Sequence, residues 1–154
     1  MKSFVLAALL AAIALPALAD SVRPIADAET KAACGECHMA FQPAFLPARS
    51  WNKIMDGLKD HFGDNAAMAP DKTARVRKVL VDGAGDSGGA WSRESKTLRG
   101  LDPSATPLRL TEMPRFTRKH DHIPAREWKR PEVTTKSNCA ACHAGAEKGT
   151  YEDD

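Results

Sequence analysis

Every cysteine in the chain belongs to one of two Cys-x-x-Cys-His pentapeptides, Cys34-Gly35-Glu36-Cys37-His38 and Cys139-Ala140-Ala141-Cys142-His143. In covalent haem attachment, two thiols add across the vinyl groups of one porphyrin. The histidine that follows stands over the iron as its proximal ligand. A single copy would also suit a zinc half-site, a redox dithiol or a structural disulfide. Two copies with no cysteine left over, a hundred-odd residues apart and each with its own histidine, point to two covalently bound haem c groups. Cys34, Cys37, Cys139 and Cys142 are then the attachment residues, and His38 and His143 the proximal ligands.

The other face of each iron decides what such a centre can do. An iron held on one side only can bind oxygen, nitric oxide or peroxide, whereas one held on both sides mainly carries electrons. The candidates for the distal positions are His61, His120 and His122, together with Met39, Met55, Met68 and Met113. His61 falls on the apolar stripe of a predicted helix, where an imidazole without a partner is costly to bury. His120 and His122 are two residues apart and point in different directions on a helix, so one of them coordinates. The methionines read as core filling, with Met68 and Met113 the most reachable exceptions.

The elements that must hold these groups read as all-α. Ala26 to Met39 is predicted to be a helix with the first motif at its C-terminal end, followed by an extended wrap over Phe41 to Pro47. Ser50 is the expected N-cap of a helix that carries Trp51, Ile54, Met55, Leu58, His61 and Phe62 on one face and stops at Gly63. Pro70 to Val81 is predicted to be a third helix, and Gly83 to Gly89 a flexible loop. An extended stretch over Thr106 to Pro114 precedes short helical pieces at Arg115 to His122 and Ala125 to Lys129. A last helix from about Thr135 is expected to carry the second motif, ahead of a frayed acidic end from Tyr151 to Asp154.

Residues 1–19 read as a signal peptide: Lys2, an apolar run from Phe4 to Leu15, and Ala17-Leu18-Ala19 before a cut at Asp20. The mature chain would then lack a transmembrane segment. In a bacterium this places it in the periplasm, where haem is attached. Residues 20–154 are enough for one domain, with a haem-1 half at about 20–82 and a haem-2 half at about 90–154, and with the two porphyrins forming much of its core. Without Lys2 the chain has 21 basic against 20 acidic residues, so net charge says little about partners. Arg109 to Lys136 holds eight basic and four acidic residues. That stretch suits haem propionates and a solvated face, or a docking patch for an acidic redox partner. Nothing points to nucleic acid.

Leu46-Pro47-Ala48-Arg49-Ser50-Trp51, Asp60-His61-Phe62-Gly63, and Trp128-Lys129-Arg130-Pro131 ahead of Ser137-Asn138-Cys139-Ala140-Ala141-Cys142-His143, together with the first motif, resemble the small bacterial dihaem cytochromes c over most of the mature chain. The resemblance implies bis-histidine haems and low-potential electron transfer to a small monohaem cytochrome or alongside a membrane cytochrome b, with no enzymatic activity. It assigns His61 and His120 as distal ligands, His120 lying in Arg118-Lys119-His120-Asp121-His122-Ile123-Pro124. Nearness in sequence pairs His38 with His61 and His143 with His120, a crossed arrangement being the other option. The competing function is a small dihaem peroxidase or ligand-binding haem protein with one open iron.

Overall fold

The structure is a computed structural model that describes residues 21–88 and 96–151. The expected signal peptide, the end of the glycine-rich loop and the last three acidic residues lie outside the described residues. Four α-helices are present: α1 (Ala28–Cys34), α2 (Ala48–Asp56), α3 (Pro70–Asp82) and α4 (Pro114–His120). Among the described residues seven single turns of 3₁₀ helix accompany them, four between the helices and three after α4. Among the described residues there is no strand, only isolated bridges at Ser21–Thr150 and His61–Asp64. The all-α reading holds.

Asp27 caps α1, its carboxylate accepting from the Thr30 amide at 2.8 Å. The Arg75 guanidinium, 2.6 Å away on α3, holds that carboxyl well below the usual range and ties α1 to α3. The helix stops earlier than predicted. Gly35 closes it by turning its amide onto the Lys31 and Ala32 carbonyls. The first motif therefore spans a helix end and a turn.

The second helix departs further from expectation. Pro47, not Ser50, stands at the N-cap, and α2 ends at Asp56 with Gly57 as its stop. Glycine is about 1 kcal/mol poorer than alanine within a helix, enough to end a short one here. Leu58–Asp60 then makes a 3₁₀ turn, which removes His61 and Phe62 from the helical stripe. Ser50 is fully buried inside α2, and its hydroxyl has no hydrogen-bond partner among the described residues. An unpaired buried hydroxyl costs about 1–3 kcal/mol. Ser50→Ala is accordingly expected to stabilise the holoprotein by about 1 kcal/mol. A thermal melt that fell instead would mean that the hydroxyl has a partner.

α3 matches its prediction to within a residue, with Val76 and Leu80 buried against Leu46, Trp51 and Met55. Trp51 satisfies its indole N–H on the Pro43 carbonyl at 2.7 Å, from a 3₁₀ turn (Pro43–Phe45) inside the expected wrap. Met113, from beyond the glycine-rich loop, belongs to the same core, and Leu98, Leu101, Leu110 and Phe116 pack against it. The near side of that loop is not free. Ala84 is buried, the Gly85 amide donates to Leu46 at 3.0 Å, and a Cβ on Gly85 would sit 2.7 Å from both the Ala44 oxygen and Leu98.

Residues 121–151 contain no α-helix. Cys139–Ala141 and Ala146–Lys148 are single 3₁₀ turns, and Thr134 takes a left-handed conformation at φ 57°. Ser, Thr and Asn compete locally with helical hydrogen bonds, and four of them crowd Thr134 to Asn138. Gly149, at φ 81°, lies so close to Val22 that a Cβ would overlap the Val22 carbonyl, and its own carbonyl accepts the Val22 amide at 2.7 Å. The two ends of the described chain thus meet. Tyr151 is anchored rather than frayed: its hydroxyl reaches Gln42 Oε1 at 2.5 Å and the Ala146 carbonyl at 3.2 Å.

Candidate haem sites

Two histidine pairs converge, one from each end of the chain. The ring centres of His38 and His61 are 6.1 Å apart with planes inclined by 26°, and those of His120 and His143 are 6.2 Å apart with planes at 89°. Metal–imidazole bonds of about 2 Å, plus roughly 1 Å from each nitrogen to its ring centre, put two imidazoles on opposite sides of one metal about 6 Å apart. Both pairs have that separation. His122 is not brought to either pair: its side chain is 76% exposed, 3.8 Å from Asp121 on the surface.

The rings are also presented by their Nε2 atoms. His38 Nδ1 lies 2.7 Å from the Met39 carbonyl and His120 Nδ1 lies 2.8 Å from the Phe116 carbonyl. A carbonyl only accepts, so each ring donates from Nδ1 and keeps its lone pair on Nε2. Such a bond fixes the orientation of a ligating histidine and strengthens it as a donor. Burial, then the neighbouring His38 and Arg109, hold the His61 imidazole below its ordinary value, which keeps it neutral at pH 7 with a lone pair to give.

Different structures carry His61 and His120. His120 closes α4, one helical turn from Phe116, whose ring stacks on it at 4.1 Å; Trp128 lies 5.8 Å away. His61 sits in a tight turn that closes by paired His61–Asp64 backbone bonds and takes Phe62 to φ 58° and Gly63 to φ 104°. The Phe62 ring is 46% exposed, with the Arg109 guanidinium 4.0 Å above it.

All four cysteines are unpaired thiols, Cys34 and Cys139 half-buried and Cys37 and Cys142 exposed. Burial pushes the Cys34 and Cys139 thiols above their ordinary values. Among the described residues no three His, Cys, Asp or Glu side chains converge as a metal ion of the zinc type requires. A groove along the first motif, lined by Lys31, Gly35, Cys37, His38 and Met39, is bordered by Glu147 from the second half. Apart from two prolines, only nine apolar residues are buried among those described, a thin core that large apolar cofactors would complete. These residues fit two haem groups.

A family model described as dihaem cytochrome c matches residues 30–151. The chain belongs to the dihaem cytochrome c family. A diheme cytochrome c from Rhodobacter sphaeroides is 42% identical with a TM-score of 0.76, over 84% of this chain and 99% of that one. A diheme cytochrome type c from Shewanella baltica OS155 is 40% identical with a TM-score of 0.65, over 81% of this chain and 86% of that one. No curated protein matches the chain. A dihaem cytochrome c carries two covalent haem c groups, as the paired motifs led one to expect, and transfers electrons.

Several residues of these sites carry no legible sign in the sequence. Gln42, 1% exposed, donates to the Ala146 carbonyl at 2.8 Å while accepting from Tyr151, and so joins the wrap after the first motif to the turn after the second. Tyr151 stands edge-on to both His143 and Phe45. Trp128, whose run with Lys129, Arg130 and Pro131 the resemblance did single out, is flanked by the Lys136 ammonium at 5.3 Å, a contact the resemblance did not show. Sequence patterns could not find these contacts, because each joins positions from separate segments. The one available hint was that Tyr151 is the chain's sole tyrosine. Part of the basic stretch is neutralised locally: Arg126 pairs with Glu127, and Arg130 with Glu127 and Glu132.

Proposed function

We propose that this cytochrome is a periplasmic one-electron carrier with two bis-histidine haems and no enzymatic activity of its own. Cys34 and Cys37 attach the first haem, ligated by His38 and His61. Cys139 and Cys142 attach the second, ligated by His143 and His120. The ring separations of 6.1 and 6.2 Å carry this reading, since they suit one iron between each pair and leave His122 aside. The haem supplies a one-electron couple, and the chain supplies binding, orientation and exclusion of water.

The residues divide that work. Carbonyls of Met39 and Phe116 take the Nδ1 protons of His38 and His120 and hold both rings toward the metal. Phe116, Trp128 and Tyr151 give the second site an aromatic wall that keeps water away. With both faces of each iron occupied by protein, electron exchange needs no ligand change and little rearrangement. The donor is a membrane or soluble protein and the acceptor a redox partner, for which a small monohaem cytochrome or a membrane cytochrome b suits the resemblance. Basic side chains that stay exposed, Arg118 and Lys129 among them, would orient an acidic partner.

No helix among the described residues is long and apolar enough to cross a membrane. EPR of the purified ferric protein tests the ligand set. All of the haem is expected to be low-spin, and a substantial high-spin fraction would overturn bis-histidine coordination.

A further inference from the structure

The two distal histidines are held very unequally. His120 is fixed by a hydrogen bond from its own ring, by the Phe116 ring stacked on it and by an α-helix beneath it. The His61 ring makes no hydrogen bond among the described residues, and its ring neighbours are His38 and the adjacent Phe62. Its backbone belongs to a surface turn in which residues 62–67 are all exposed and Phe62 holds a left-handed conformation at φ 58°. A non-glycine residue in that region is strained, and opening of the turn releases the strain. From a distant segment Arg109 reaches over the turn, its guanidinium covering Phe62.

We propose that His61 is a releasable ligand, and that the reduced iron of the first haem accepts a neutral diatomic of the carbon monoxide or nitric oxide type in its place, with Arg109 on Phe62 as the latch. The proposal rests on the coordination reading given above. In the exchange His61 gives up its Nε2–iron bond and the carbon or nitrogen lone pair of the diatomic takes the position. No electron is transferred, and the freed Nε2 accepts a hydrogen bond from water. The second site has no comparable route, because releasing His120 means breaking its bond to Phe116 and unstacking it within a helix. Segments with few buried contacts open first, and a ligand that binds the open form draws the equilibrium toward it.

Carbon monoxide titration of the dithionite-reduced holoprotein, followed optically, tests this. One CO per chain is expected for the wild type, still one but faster for His61→Ala, and two for His120→Ala. Arg109→Ala should bind one CO about two- to fivefold faster than the wild type, and Arg109→Lys, which keeps a cation over the ring, should bind at close to the original rate. No CO uptake by the wild type, two CO in His61→Ala, or an unchanged rate in Arg109→Ala would overturn it. Ferric EPR separates the two levels of failure: a high-spin resting signal removes the coordination reading as well, whereas wholly low-spin haem with no CO uptake removes this proposal alone.

Discussion

Replacing His120 with alanine is expected to turn half of the haem high-spin, whereas replacing His122 leaves all of it low-spin. The two residues are near neighbours in a segment of similar charge, and a loss of ligation at either would be equally visible. Only His120 faces His143, at 6.2 Å, and only His120 has a documented grip on its Nδ1 proton, the Phe116 carbonyl at 2.8 Å. His122 lies past the end of α4, largely exposed. Added imidazole should restore the low-spin spectrum of His120→Ala, because the missing group is a small neutral donor and the space it leaves is its own shape. A structural collapse would not be rescued in this way. High-spin haem in His122→Ala would move the distal assignment by two residues.

Loss of the second attachment should have the largest structural effect. The double replacement Cys139→Ser, Cys142→Ser is expected to give a protein carrying the mass of one haem, with backbone amides from about residue 121 to 151 exchanging with solvent far faster than those of α2 and α3. Between Asp121 and Tyr151 no α-helix forms, and Val133 and Ala146 are its only buried apolar side chains. Burying a side chain such as Val133 contributes about 1.5–3 kcal/mol and one as small as Ala146 less, whereas ordering the backbone costs about 1–2 kcal/mol for every residue. Thirty residues cannot be held on those terms without the apolar mass of a porphyrin. The helices α2 and α3 instead share the core of Leu46, Trp51, Met55, Val76 and Leu80, and should remain protected. Protection of residues 121–151 equal to that of the intact protein would show that the segment folds without its haem.

The chemistry of this chain was legible from residue types and spacing because covalent attachment constrains both. Two thiols must span one porphyrin edge and a histidine must follow at once, so Cys34-Gly35-Glu36-Cys37-His38 and Cys139-Ala140-Ala141-Cys142-His143 state the cofactor and its number without any fold. Periodicity also located α3 almost to the residue, since proline starts it, glycine ends it and one face alone is apolar. The same periodicity failed over residues 57–63. Leu58 and His61 continue an apolar pattern that the chain cannot follow beyond Gly57, so the imidazole is delivered by a turn.

Local signals failed again around Cys139, where Thr134, Thr135, Ser137 and Asn138 compete with helical hydrogen bonds and leave only single turns. Which histidine stands opposite which was a tertiary matter throughout. His38 and His61 are close in sequence, but the link between Gln42 and Tyr151, and the reach of Arg109 to Phe62, depend on segments that meet only when the chain closes on itself. Residue identity thus determined what this protein carries, because bonding geometry is local. The grip on each distal ring was decided by the fold, because it comes from neighbours that no spacing rule connects.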